Sequence, residues 1–227
     1  MAIDHSLTYK KISLRNIGHR YRKWILKSEL TPYQANCQSY ADFGCSNGYL
    51  TSIFSTLLGS SKTVGFDHSD NLKIAIDHYP DLEFRFINLN NFSVIDEKFD
   101  IITCFETLEH VGDTTNALKS IQSASKSGTV ILISVPIEIG FVGILKYLLK
   151  RYIFRYSLSV NCTDYDYCKA LLKRLDISQF RLPADGYGSH FGFDYRNIES
   201  LVRIIFAGSH ISSWSKGTTH FLKILVK

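Results

Sequence analysis

The chain has 227 residues, 45% of them hydrophobic and 21% charged, with 14 Gly, 4 Pro and a formal charge of +5. Near-average apolar content and little proline exclude disordered, collagen-like and low-complexity classes, and one globule of this length buries roughly 70–75% of its unfolded surface. The basic excess lies mostly at residues 10–27 and 146–155, which excludes a uniformly polybasic protein.

In chain order, the start Met1-Ala2-Ile3-Asp4-His5 has no apolar run behind a basic stretch, so no signal peptide is expected. From residue 10 to 29, Leu14, Ile17, Tyr21, Trp24 and Ile25 recur at helical spacing, and Thr31-Pro32 stops the helix. A short apolar strand at 40–43 runs into Gly44-Cys45-Ser46-Asn47-Gly48. Leu50, Ile53, Phe54 and Leu57 then open a helix that Gly59-Ser60-Ser61 closes. The alternation continues with strands expected at 63–67, 83–88, 99–105 and 129–135. Between them lie a helix capped by Ser69 and another carrying Ala117, Leu118, Ile121 and Ala124. Near-continuous apolar strands alternating with helices argue a parallel sheet covered on both faces, a doubly wound α/β fold.

The last third departs from this rhythm. Residues 140–156 carry an apolar arc (Phe141, Leu145, Leu148, Leu149, Tyr152, Ile153) edged by Lys146, Lys150, Arg151 and Arg155. Such a helix suits a substrate lid or core element; a membrane interface with its cations on phosphates is the alternative. The stretch 130–149 is broken by Pro136, Glu138 and Lys146, so no spanning helix is expected. A glycine- and aromatic-rich loop, 186–196, precedes a helix with Ile198, Leu201, Val202 and Ile205, and two strands, 210–214 and 220–226, end the chain. The five cysteines (37, 45, 104, 162, 168) form no CxxC pair, which points to a reducing, cytoplasmic setting. One domain is expected, with an N-terminal helical segment (1–32), a ligand-binding core (40–136), an insertion (137–195) and a closing helix and strands (196–227).

In an open parallel sheet the first strand–helix loop is a ligand crevice. Gly44 and Gly48 do not match G-x-G-x-x-G, so the dinucleotide fingerprint fails. Gly44–Gly48 does match the G-x-S-x-G of a hydrolase nucleophile elbow. That motif belongs after a later strand, however, with an acid and a His behind it. A third reading uses Asp42 before the loop and Asp67 at the end of the second strand, where a carboxylate can accept both ribose hydroxyls of a nucleoside.

On those residues the chain resembles the class I S-adenosylmethionine-dependent methyltransferases. Asp42-Phe43-Gly44-Cys45-Ser46-Asn47-Gly48 is similar to their D-x-G-x-G-x-G loop, with Ser46 for the middle glycine. Asp67 matches their second acid, and Asn88 stands where a third-strand acid is usual. The run Phe99-Asp100-Ile101-Ile102-Thr103-Cys104-Phe105-Glu106-Thr107-Leu108-Glu109-His110-Val111 resembles the branch holding ubiquinone-biosynthesis O-methyltransferases and small-RNA 2′-O-methyltransferases. The resemblance implies a seven-stranded, mostly parallel Rossmann-like sheet with an antiparallel C-terminal edge strand. It implies S-adenosylmethionine held by Asp42, Gly44, Cys45, Ser46, Gly48, Asp67, His68, Asn88, Leu89, Phe105 and Glu106.

Glu106, Glu109 and His110 share a face of a helical turn. In the small-RNA branch the matching residues hold a metal with one further His, for which His190 is the spare imidazole. A local hydrogen-bond network is the other reading, and the expectation taken forward has no metal. His110 and His190 are the candidate general bases, since an imidazole near pKa 6.5 can take a hydroxyl proton at neutral pH. The expected acceptor is a hydroxyl on a small-molecule, lipid-linked or sugar compound. Nucleic acid is disfavoured because no RNA-binding module is recognisable. An RNA methyltransferase and a non-catalytic cofactor-binding subunit remain the alternatives.

Overall fold

The computed structural model describes residues 17–34, 36–153, 162–181 and 190–227. Leu14, residues 154–156 of the amphipathic segment and residues 186–189 of the glycine-rich loop lie outside them. Seven strands form one sheet: β1 (Ser39–Phe43), β2 (Lys62–Asp67), β3 (Glu83–Phe86), β4 (Ile101–Phe105), β5 (Val130–Pro136), β6 (His210–Lys216) and β7 (Thr219–Leu225). Their order is β3-β2-β1-β4-β5-β7-β6, parallel from β3 through β5. β7 runs antiparallel to both β5 and β6. The antiparallel strand is therefore the penultimate one, and β6 forms the edge. The terminal hairpin inserts its second strand beside β5.

Alternating side chains on the strands serve two apolar layers. On one face Tyr40, Ile101, Leu132 and Phe221 pack with Ile25, Leu26 and Leu30 of α1 (Ile17–Leu30) and Phe54 and Leu58 of α2 (Tyr49–Leu58). On the other, Ala41, Phe43, Ile102, Ile131 and Ile133 pack with Leu118 and Ile121 of α4 (Thr114–Ser123) and Ile198 and Val202 of α7 (Tyr195–Ile205). Strands buried on both faces need apolar residues at nearly every position, and the β5 sequence Val-Ile-Leu-Ile-Ser-Val-Pro shows the pattern. A third apolar cluster, with Ile139, Tyr147, Tyr167 and Leu171, joins α5 (Gly140–Leu148) to α6 (Asp164–Leu172).

Two local expectations change. Ser69 does not cap α3 (Asn71–His78): the N-cap is Asp70, without a side-chain bond, and the Ser69 N–H is given to Asp67 Oδ1 at 2.7 Å. β3 ends at Phe86 rather than at residue 88, because Asn88 folds into a turn. Its Oδ1 accepts the N–H of Asn90 at 3.0 Å, and its carbonyl accepts the N–H of Asn91.

Candidate functional site

The strand order reverses between β1 and β4, and there the sheet opens a crevice at its carboxyl end. The loop after β1 lines one side. Gly44 and Cys45 both donate their N–H to Phe66 O, at 2.7 and 3.1 Å, which folds the loop back on β2. Gly44 has φ +83°, and a Cβ there would lie 2.1 Å from Thr107 Oγ1. Glycine is required for the turn after β4 to close against the loop. Gly48 (φ +72°) starts α2, and Cys45 between the two glycines is buried.

Asp67 Oδ2 accepts the Ser46 N–H at 2.8 Å and Oδ1 that of Ser69. Each carboxylate oxygen keeps a second lone pair, so the group can still accept a vicinal diol. Asp42 lies deeper. Its oxygens accept Thr51 Oγ1 at 2.5 Å and Thr103 Oγ1 at 2.7 Å, tying α2 to β4 under the loop. It shapes the crevice from below. Leu89 and Phe105 are buried in the apolar layers behind the crevice, and His68 is exposed beside Asp67.

Burial pushes Asp42 up to about 6 from 3.8, against the lowering effect of the two threonine hydroxyls. A raised folded-state acid holds its proton where the unfolded chain has lost it. Stability from this group is thus full below pH 3.8 and falls as pH rises towards about 6, by about 3 kcal/mol. Asp42→Asn removes the dependence. In urea unfolding without cofactor, the variant should gain on the wild type by about 3 kcal/mol between pH 3.5 and pH 8. Parallel pH profiles would count against it.

The turn after β4 forms the opposite side. Glu106, at φ +50°, is fixed by Ser134 Oγ on Oε1 (3.1 Å) and Arg22 of α1 on Oε2 (3.1 Å). Glu109 is fully buried, and among the described residues neither carboxylate oxygen has a hydrogen-bond partner. Burial, then the Glu106 charge, pushes its carboxyl well above the usual range. Arg181 clamps the turn by donating to the carbonyls of Glu109 (2.8 Å) and Val111 (2.9 Å). His110 Nε2 meets His190 Nε2 at 3.1 Å, although 80 residues separate them. Ligand atoms of Glu109, His110 and His190 all lie within 4.8 Å of one another. Three of the four non-glycine positive-φ residues described, Ser46, Glu106 and His190, belong to this site. Backbone strain is thus concentrated where the chain must hold an unfavourable shape.

A methyltransferase-domain family model matches residues 14–157, well over half of the chain. The chain belongs to the methyltransferase-domain family. Among curated relatives, the ubiquinone biosynthesis O-methyltransferase of Haemophilus ducreyi is 29% identical over 103 residues, covering 41% of this chain and 43% of that protein. The tRNA U34 carboxymethyltransferase of Campylobacter hominis is 33% identical over 93 residues, covering 39% and 32%. The chain spans less than half the length of the curated relatives it matches. A solved S-adenosylmethionine-dependent methyltransferase from Aquifex aeolicus shares the fold, with TM-score 0.59, 10% identity and coverage of 99% of this chain and 100% of that one. S-adenosylmethionine is the cofactor of this class, and the donor set fits it: a diol-accepting carboxylate ends β2 and an amide follows β3.

Arg22, Arg181 and Glu138 are site residues that local sequence patterns do not mark; each acts across tens of residues. The insertion also differs from its sequence reading. On α5, Phe141, Leu145 and Leu148 are exposed, while Gly140, Gly143 and Tyr147 are buried. Lys146 and Lys150 turn inward to Glu138, and Arg151 lies 3.7 Å from Asp164. Of the cations expected to reach phosphates from the edge of the apolar arc, Lys146, Lys150 and Arg151 are therefore paired within the fold, and Arg155 lies outside the described residues. Among the described residues no helix is long and apolar enough to cross a membrane.

Proposed function

We propose that this methyltransferase transfers the methyl group of S-adenosylmethionine to a hydroxyl oxygen of a small-molecule, lipid-linked or sugar acceptor. The observation that carries the reading is the His110–His190 pair, seated beside the turn that closes on the cofactor loop. When bound, S-adenosylmethionine supplies a methyl carbon whose bond to sulfur breaks with its electron pair leaving on sulfur. Asp67 accepts the ribose hydroxyls. Asn88 has its carbonyl oxygen committed to Asn90, so its amino group is what it offers to a purine ring. The acceptor hydroxyl replaces His110 as donor to His190 Nε2, which takes the proton as the oxygen attacks. Catalysis is mainly positioning plus this proton removal.

A small acceptor is supported by how the nearby cations are used. Arg22 serves Glu106, Arg181 serves two carbonyls, and Lys146 and Lys150 serve Glu138. A polyanion site would instead turn such residues outward.

The buried, unpartnered Glu109 carboxylate favours a second reading. In it Glu109, His110 and His190 hold a divalent cation, a suitable oxygen and nitrogen set, that orients the acceptor hydroxyls. Radiolabelled methyl transfer across hydroxyl-bearing small-molecule, lipid, sugar and RNA pools tests both. The first reading expects product from a non-nucleic pool with activity retained in EDTA. Loss in EDTA with restoration by Mn²⁺ or Mg²⁺ selects the second. Product from RNA alone overturns the acceptor assignment.

A further inference from the structure

Glu138 lies just beyond β5 and is nearly fully buried, yet it stays ionised. Burial opposes this, but the His190 hydrogen bond and the Lys146 and Lys150 charges bring it down to about 2. A buried carboxylate held by several donors needs a reason for being there. Three partners converge on its Oε1: Lys146 Nζ at 3.2 Å, Lys150 Nζ at 3.4 Å and His190 Nδ1 at 3.4 Å. The two lysines sit one turn apart on the same face of α5 and its continuation. Lys146 also donates to Ile137 O at 3.0 Å, fixing it over the end of β5.

This convergence depends on Gly143. A Cβ at that position would lie 2.2 Å from the Glu138 carbonyl oxygen, so only glycine lets α5 lie directly on residue 138. His190 is held from the other side at φ +59°. Glu138, Lys150 and His190, with Gly143, Tyr147 and Tyr167, line a small pocket. The order in space is Lys146 and Lys150, then Glu138, then His190, then His110.

We propose that Glu138 is a positioning residue that binds the Nδ1 proton of His190 and so presents the Nε2 lone pair to His110 and the acceptor. A neutral imidazole carries one proton, and the hydrogen bond made by one nitrogen decides the role of the other. With Nδ1–H donated to Glu138, Nε2 is an acceptor, and the 3.1 Å contact is then completed by His110 Nε2–H. The lysines keep the carboxylate in place. Glu138 touches neither cofactor nor acceptor. The proposal rests on placing His190 in the methyl-transfer site, and its test separates the two.

The test is the ring-nitrogen spectrum of ¹⁵N-histidine-labelled full chain, with His190→Ala used to assign the signals. In the wild type, His190 is expected as the Nδ1–H tautomer. Glu138→Gln should shift it towards a mixture or the Nε2–H form, while affinity for S-adenosylhomocysteine stays within about twofold. For any acceptor the chain methylates, kcat should fall roughly 10–100-fold with the KM for S-adenosylmethionine unchanged. An Nε2–H tautomer in the wild type overturns the proposal, and that reading does not depend on whether Glu138→Gln folds. An unchanged His190 spectrum in Glu138→Gln overturns it too. Absence of S-adenosylhomocysteine binding by the wild type would instead sink the functional reading and leave the tautomer result standing.

Discussion

Asp67→Ala is expected to weaken S-adenosylmethionine binding by about two orders of magnitude or more. Hydrogen bonds to a charged group contribute roughly 1.5–3 kcal/mol each, and two are lost with the ribose acceptor. At about 1.4 kcal/mol per tenfold, that is at least about a hundredfold in Kd. The carboxylate also holds Ser46 N–H at 2.8 Å, and Ser46 sits at φ +49°. Without that bond the loop has less reason to keep a conformation that costs a non-glycine residue roughly 1–2 kcal/mol. Asp67→Asn keeps the volume and one acceptor oxygen, so its loss should be intermediate. Equilibrium dialysis with labelled cofactor measures both, and equal affinities for wild type and Asp67→Ala would remove Asp67 from the site.

The second large effect concerns the proton. His190→Ala should lower kcat by about 10²–10⁴, the usual contribution of a positioned general base, with cofactor affinity unchanged. The acceptor must then lose its proton to solvent. The residual rate is therefore expected to climb with pH where the wild-type rate has levelled. His110→Ala should cost less, because His110 serves as donor to His190 Nε2 rather than as the residue anchored by Glu138. A His190→Ala enzyme with wild-type turnover would mean that the 3.1 Å histidine pair is only a packing contact.

Much of the sheet was legible in the chain, because a strand buried on both faces must be apolar almost throughout, as 101–105 and 130–136 are. The loop was legible as well, since its glycines and the acids at 42 and 67 stand at strand ends. What escaped the sequence was set by long-range packing. Residues 140–153 are apolar over more than half of the helix circumference, so periodicity could not choose the part of that arc that turns inward. Gly143 chooses it, by allowing contact with residue 138, and the lysines expected outside go in. Arg22 and Arg181 carry no local sequence signal, and only the tertiary fold brings them onto Glu106 and the 108–111 turn. Ser69 looked like a helix cap because its type and position suit one; Asp67 takes its N–H instead.

The most direct test of the whole account is calorimetric titration of the wild-type chain with S-adenosylhomocysteine. One site per chain is expected, with Kd in roughly the 1 μM–1 mM range of ordinary enzyme ligands. No saturable heat at millimolar ligand would contradict it.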